Sequence, residues 1–141
     1  MTIVSYLRAL AKNLVVKWKE PSWQDEFGEM KLTSKELGIP LILIRKSFEN
    51  GNLIKPVKSF LKNIENTDYN EVKTIDDVKQ FAKVYGRNAD VIIDGFEKGT
   101  SIPAPIVLIR KDKRPYLIAG NTRLMVSKAL EIIPEIYAIY I

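Results

Sequence analysis

The chain contains neither cysteine nor histidine. Without cysteine there is no disulfide framework, no thiol nucleophile and no CxxC redox pair. Without histidine there is no Ser-His-Asp triad and no imidazole base, and the two absences together exclude zinc sites of the Cys/His kind. Chemistry must come from carboxylates, amines, guanidinium groups, hydroxyls and amides, or from a metal ion held by oxygen. Long apolar runs are missing too, since none reaches the ~18 residues of a membrane span. The opening stretch MTIVSYLRALAKNLVVKWKE comes nearest to a targeting signal. Arg8 and Lys12 interrupt its apolar run, and no small-residue cleavage site follows. The expectation is a cytoplasmic protein with no membrane partner.

What is present is ordinary for a globular protein. A chain of 141 residues, 46% hydrophobic and 28% charged, is expected to fold as a single domain that needs no metal or disulfide to hold its core. The net charge is +5, and the single-sign blocks that mark nucleic-acid tails are missing. Arg110, Lys111, Lys113 and Arg114 form the local basic cluster, broken by Asp112. It reads as a solvated hairpin tip or as a phosphate-backbone contact.

Periodicity divides the chain. Ile3, Leu7, Leu10, Ala11 and Leu14 share a face and predict a helix over 3–17. Residues 17–30, with Pro21 and Gly28, read as a connection pinned by Trp18, Trp23 and Phe27. Thr33 and Glu36 have the spacing of a capping box. Leu41, Ile44 and Phe48 predict a helix over 40–50, although the run 41–44 also suits a strand, and part of 52–73 reads as loop. Thr74 and Asp77 open a helix carrying Val78, Phe81, Ala82 and Tyr85 and ending at Gly86. A second helix over 88–98 buries Val91, Ile92 and Phe96 and stops at Gly99. Strands follow over 105–110 and 115–119, then a helix with Leu124, Val126, Ala129 and Leu130, then a strand over 135–141. The expected class is α+β: a small mixed sheet flanked by helices, with a mainly helical N-terminal part of unknown role over 1–90 and a core over 91–141.

The chemistry concentrates where the second strand meets the last long helix. Gly120 lets the backbone turn and lets a ligand approach. Asn121 is a good N-cap residue, and the free amides of a first helical turn make an anion site. Thr122 adds a hydroxyl and Arg123 a planar cationic fork suited to phosphate oxygens. The alternative is that Asn121 only caps the helix and Arg123 pairs with a surface carboxylate. Asp94 and Glu97 lie one helical turn apart. They read either as a site for Mg²⁺ and for a proton taken from a substrate hydroxyl, or as a solvent-facing acidic pair. Thr100 and Ser101 either contact a ribose or phosphate or cap a turn.

The stretch Asp94 to Ile141 resembles the ParB/sulfiredoxin superfamily. Three segments carry the likeness: Asp94-Gly-Phe-Glu-Lys-Gly-Thr-Ser-Ile-Pro-Ala-Pro-Ile-Val-Leu, then Tyr116-Leu-Ile-Ala-Gly-Asn-Thr-Arg-Leu, then Ala129-Leu-Glu-Ile-Ile-Pro-Glu-Ile. The Gly-Asn-Thr-Arg form looks most like small stand-alone members from tailed phages, which would place the protein in a host cytoplasm. The resemblance implies that Gly120, Asn121, Thr122 and Arg123 bind the phosphates of ATP, ADP or CTP, with Mg²⁺ accompanying the nucleotide. It also marks departures. Sulfiredoxins need a cysteine in this motif, and none exists here. Chromosome-partitioning members carry Gly-Glu-Arg-Arg and a helix-turn-helix domain, and both are missing. Free-serine kinases of the superfamily have a histidine where Asn121 stands, and an amide cannot accept a proton.

Three functions follow as expectations. The first is nucleotide binding with phosphoryl transfer or hydrolysis. The second is a nucleic-acid-binding or nuclease module, and the third a non-enzymatic phage protein that docks on a host protein.

Overall fold

The structure, a computed structural model, describes residues 16–141. The helix expected over 3–17 lies almost wholly outside them. In chain order the described elements are β1 (Trp18–Lys19), α1 (Phe27–Leu37), α2 (Leu41–Glu49), β2 (Asn52–Ile54), α3 (Lys58–Lys62), a 3-10 turn (Tyr69–Glu71), α4 (Ile75–Val84), α5 (Asp90–Lys98), β3 (Ile102–Pro103), β4 (Ile106–Ile109), β5 (Tyr116–Ala119), α6 (Asn121–Ala129) and β6 (Ile136–Tyr140). The fold is α+β.

Apolar alternation explains the main sheet. Ile106 and Leu108 of β4, Ile118 of β5, and Tyr137 and Ile139 of β6 pack with Met30 and Ile44 from α1 and α2. Their neighbours Val107, Leu117, Ile136 and Ala138 face the other way, onto Leu61, Ile64, Tyr69 and Leu124. Each of the three strands is therefore buried on both faces and reads as a near-continuous apolar run. The strand order is β2-β6-β4-β5. β4 runs parallel to β6 and antiparallel to β5, with a bulge between Ile106 and Val107. β2 pairs antiparallel with β6, so the first half of the chain adds a strand to the sheet of the second. A separate parallel pair, β1 with β3, ties Trp18 beside Ile102.

A third apolar cluster joins α4, α5 and α6 through Val78, Ala82, Ile93, Phe96, Met125 and Val126. α4 opens with both hydrogen bonds of a capping box: Asp77 donates its amide to the Thr74 hydroxyl, and the Asp77 carboxylate accepts from the Thr74 amide. The backbone amides of Lys73 and Thr74, both donated to its Oδ2, hold the Asp77 carboxyl below the usual carboxylate range.

The structure corrects several expectations. The segment over 17–30 is more than a connection, since it holds β1 and the start of α1. Thr33 and Glu36 lie inside α1 and cap nothing. Thr33 is buried, Ser34 donates its hydroxyl to the Ile39 carbonyl at 2.6 Å, and Glu36 accepts a hydrogen bond from Tyr116 at 2.7 Å. On α5 the buried residues are Ile93 and Phe96, whereas Val91 is 73% exposed. The hairpin cluster is not wholly solvated. The Arg110 guanidinium stacks over Tyr116, and the Arg114 Nε donates to the Asn63 carbonyl at 2.9 Å. Trp18 and Trp23 do pin the early chain, through edge contacts with Phe96 and Phe48.

Candidate functional site

The backbone reaches α6 through Gly120, whose φ of +103° lies in the left-handed region. A Cβ there would stand 2.8 Å from both Cα and Cβ of Pro105 and 3.2 Å from Arg123 Nη2. Glycine is thus required twice, by conformation and by the closeness of β4's leading proline. Gly120 is also the N-cap of α6, and no side chain caps that helix. The expectation that Asn121 caps it is therefore corrected. Asn121 is the first helical residue, and its side chain turns to the loop before the 3-10 turn. Its Oδ1 accepts from the Thr67 hydroxyl at 2.6 Å and the Asp68 amide at 3.0 Å, and its Nδ2 donates to Asp68 Oδ2 at 2.8 Å. Tyr85, at the end of α4, donates to the same carboxylate oxygen at 2.9 Å. That hydrogen bond, then burial, raises the Tyr85 phenol pKa.

Arg123 lies two positions further along α6, with only 9% of its surface exposed. Its Nη1 donates to the Pro103 carbonyl at 2.7 Å and its Nη2 to Glu26 Oε1 at 3.0 Å. The guanidinium forms part of the wall of a cleft of about 530 Å³. Gly120 and Thr122 line the cleft beside it, Pro103 comes from β3, Val91 and Ile92 from α5, Arg87 and Asn88 from the link between α4 and α5, and Glu26 from the approach to α1. A second ion pair parallels the first: Arg87 Nη2 is 3.2 Å from Glu29 Oε1. Two arginines of the cleft are thus held by carboxylates three positions apart at the start of one helix.

Of the residues singled out from sequence, Gly120, Thr122 and Arg123 meet at this cleft. Asn121 adjoins it in sequence but is bound to Thr67 and Asp68 and does not line it. Asp94 and Glu97 are not among the lining residues either. Asp94 pairs with Lys98 at 2.7 Å on the exposed side of α5, which raises the Lys98 ammonium pKa. Thr100 and Ser101 are exposed beyond the end of α5 and do not line the cleft. Sequence reasoning missed Glu26, Arg87 and Asn88. The signal for Glu26 was the acidic pair Asp25-Glu26 just ahead of Phe27, the composition of a helix start. Nothing local marks Arg87, whose role depends on a partner on α1.

Among the described residues no three potential metal ligands gather, and no helix is long and apolar enough to cross a membrane. No family model, no curated protein and no solved structure matches the chain.

Proposed function

We propose that this cleft binds the phosphates of a nucleotide of the ATP or CTP type, in the manner of a ParB/sulfiredoxin-like protein, and supports phosphoryl transfer or hydrolysis. One observation carries the reading: a nearly buried guanidinium, fixed by the Pro103 carbonyl, is presented to an open cleft beside Gly120 and Thr122. Its Nη2 edge suits a phosphate oxygen, and the uncapped start of α6 favours negative charge nearby.

Glu26 takes the part first expected of Asp94 or Glu97. In the free protein its carboxylate occupies Nη2 of Arg123. An incoming phosphate oxygen replaces it there, and the released carboxylate accepts the proton of an attacking hydroxyl or water. Mg²⁺ arriving with the nucleotide would keep its ligands from phosphates and water, neutralising phosphate charge while the Glu26 carboxylate stays free to take the proton.

Titration calorimetry with ATP, ADP and CTP in the presence of Mg²⁺ tests the reading. Saturable binding to the wild type, lost in Arg123→Ala and weakened in Arg123→Lys, is expected. Absence of binding by every nucleotide, or equal binding by both variants, overturns it.

A further inference from the structure

Away from the cleft, lysines from distant parts of the chain meet around the 3-10 turn. Lys58 and Lys62 stand one helical turn apart on α3, Lys73 precedes α4, and Lys128 lies in the last turn of α6. The turn is packed against both α3 and α6. Asn70 donates its side-chain amide to the Lys62 carbonyl at 2.9 Å, and Lys128 Nζ sits 5.1 Å from the centre of the Tyr69 ring. None of the four lysines forms an ion pair among the described residues. The acids nearby are Asp68 at the start of the turn, whose carboxylate is taken up by Asn121 and Tyr85, Glu71, which acts on Lys128, and Asp77, whose carboxyl feels Lys73.

Burial lowers the Lys128 ammonium pKa. Glu71 opposes the shift, and the charges of Lys62, Lys58 and Lys73 add to it. Crowding like charge costs stability. The core does not demand it, since Lys58, Lys62 and Lys73 are exposed. Arg114 extends the face by binding the Asn63 carbonyl just past the end of α3.

We propose that this face binds the sugar-phosphate backbone of a nucleic-acid duplex. Lysine is a point charge without a fork, which suits phosphate oxygens and not base edges. Tyr69 is only 2% exposed, so the ring at the centre of the lysines offers no platform for the unstacked bases of a single strand. A lipid surface asks for exposed apolar anchors beside the charge. Among 57–73 the one large exposed apolar side chain is Val57. The site is separate from the nucleotide cleft and does not depend on it.

Fluorescence anisotropy with a labelled random-sequence DNA duplex, from about 50 to about 200 mM salt, tests the proposal. With four phosphate contacts the logarithmic salt slope is about −3.6, at about −0.9 per contact. Lys58→Glu with Lys62→Glu is expected to weaken binding at least tenfold and to flatten the slope by about 1.8. Lys58→Gln with Lys62→Gln does the same less steeply and serves if charge reversal disturbs the circular dichroism spectrum. Lys35→Glu, on α1, matches the charge change of the double Lys→Gln variant and leaves binding intact. The proposal is overturned by no duplex binding at the lowest salt, by an equal loss in Lys35→Glu, or by binding to phosphatidylserine vesicles without binding to DNA.

Discussion

Nη2 of Arg123 lies 3.0 Å from Oε1 of Glu26, although the two residues are 97 positions apart in the chain. Their side chains are only 11% and 16% exposed, so the pair is largely shielded from solvent, and the nearest parallel pair, Arg87 with Glu29, is already engaged. Such a pair brings the approach to α1 against the first turn of α6 and forms part of the cleft wall.

Breaking this pair from one side leaves a shielded charge without its partner. Arg123→Ala is expected to lower stability by about 3 kcal/mol in urea unfolding, mostly because Glu26 is stranded. Replacing both residues, Arg123→Met with Glu26→Leu, removes the stranded charge and is expected to restore most of that stability. It does not restore nucleotide binding. A double variant that recovers both would show that the pair is only a structural lock.

Two glycines separate backbone demand from helix propensity. At Gly120 an added methyl group meets Pro105 at 2.8 Å in a backbone held at φ +103°, so Gly120→Ala is expected to cost about 2 kcal/mol or more. At Gly95, inside α5, the same methyl meets only Ile102 at 3.9 Å. Gly95→Ala is therefore expected to stabilise by about 0.5–1 kcal/mol. Thermal unfolding of the two variants should move in opposite directions.

The sheet and the last three helices were legible because their apolar spacing is regular. Val107, Leu117 and Ile136 alternate with neighbours that face the opposite side, and Thr74 with Asp77 forms the box that its spacing implies. The errors had local causes. Thr33 and Glu36 match a capping box yet sit mid-helix, because α1 begins earlier, after Pro21 and around Gly28, where the sequence looks like a loop. β2 is three residues long, too short for a period to show. On α5 the buried face follows Ala89, Ile93 and Phe96, which the apolar Val91 obscured. The cleft was half legible: Gly120, Thr122 and Arg123 fall within four consecutive positions, whereas Glu26 and Arg87 join them only through tertiary packing.

Tyr116 supplies a test of the buried face of β5. Burial, then its hydrogen bond to Glu36, pushes its phenol up from 10.0 to about 12. Between these values the unfolded chain loses a proton that the folded chain keeps. The folded state then binds more protons, so stability falls as pH rises through that window and levels above it. Tyr116→Phe is expected to remove this part of the alkaline decline. An unchanged slope in the variant would assign the decline to other groups.

Asn121 joins the start of α6 to Asp68 with bonds whose direction matters. Its Nδ2 donates to Asp68 Oδ2 at 2.8 Å while its Oδ1 accepts from the Asp68 amide. Asn121→Asp keeps the shape and the accepting oxygen but sets one carboxylate against another. At neutral pH the variant is expected to be less stable by about 2 kcal/mol, through a lost donor and like-charge repulsion. The crowded carboxyls titrate above their unfolded value of about 4, so the folded variant takes up protons first as pH falls. Its deficit against the wild type should therefore shrink on acidification, once a shared proton replaces the amide hydrogen. Asn121→Ala loses the same bonds without adding charge, and its deficit should shrink less on acidification than that of Asn121→Asp. Urea unfolding of the three proteins across the acid range decides the matter, and a constant deficit in Asn121→Asp would remove the facing of these two side chains. Since Asn121 does not line the cleft, Asn121→Ala should still bind nucleotide through Gly120, Thr122 and Arg123.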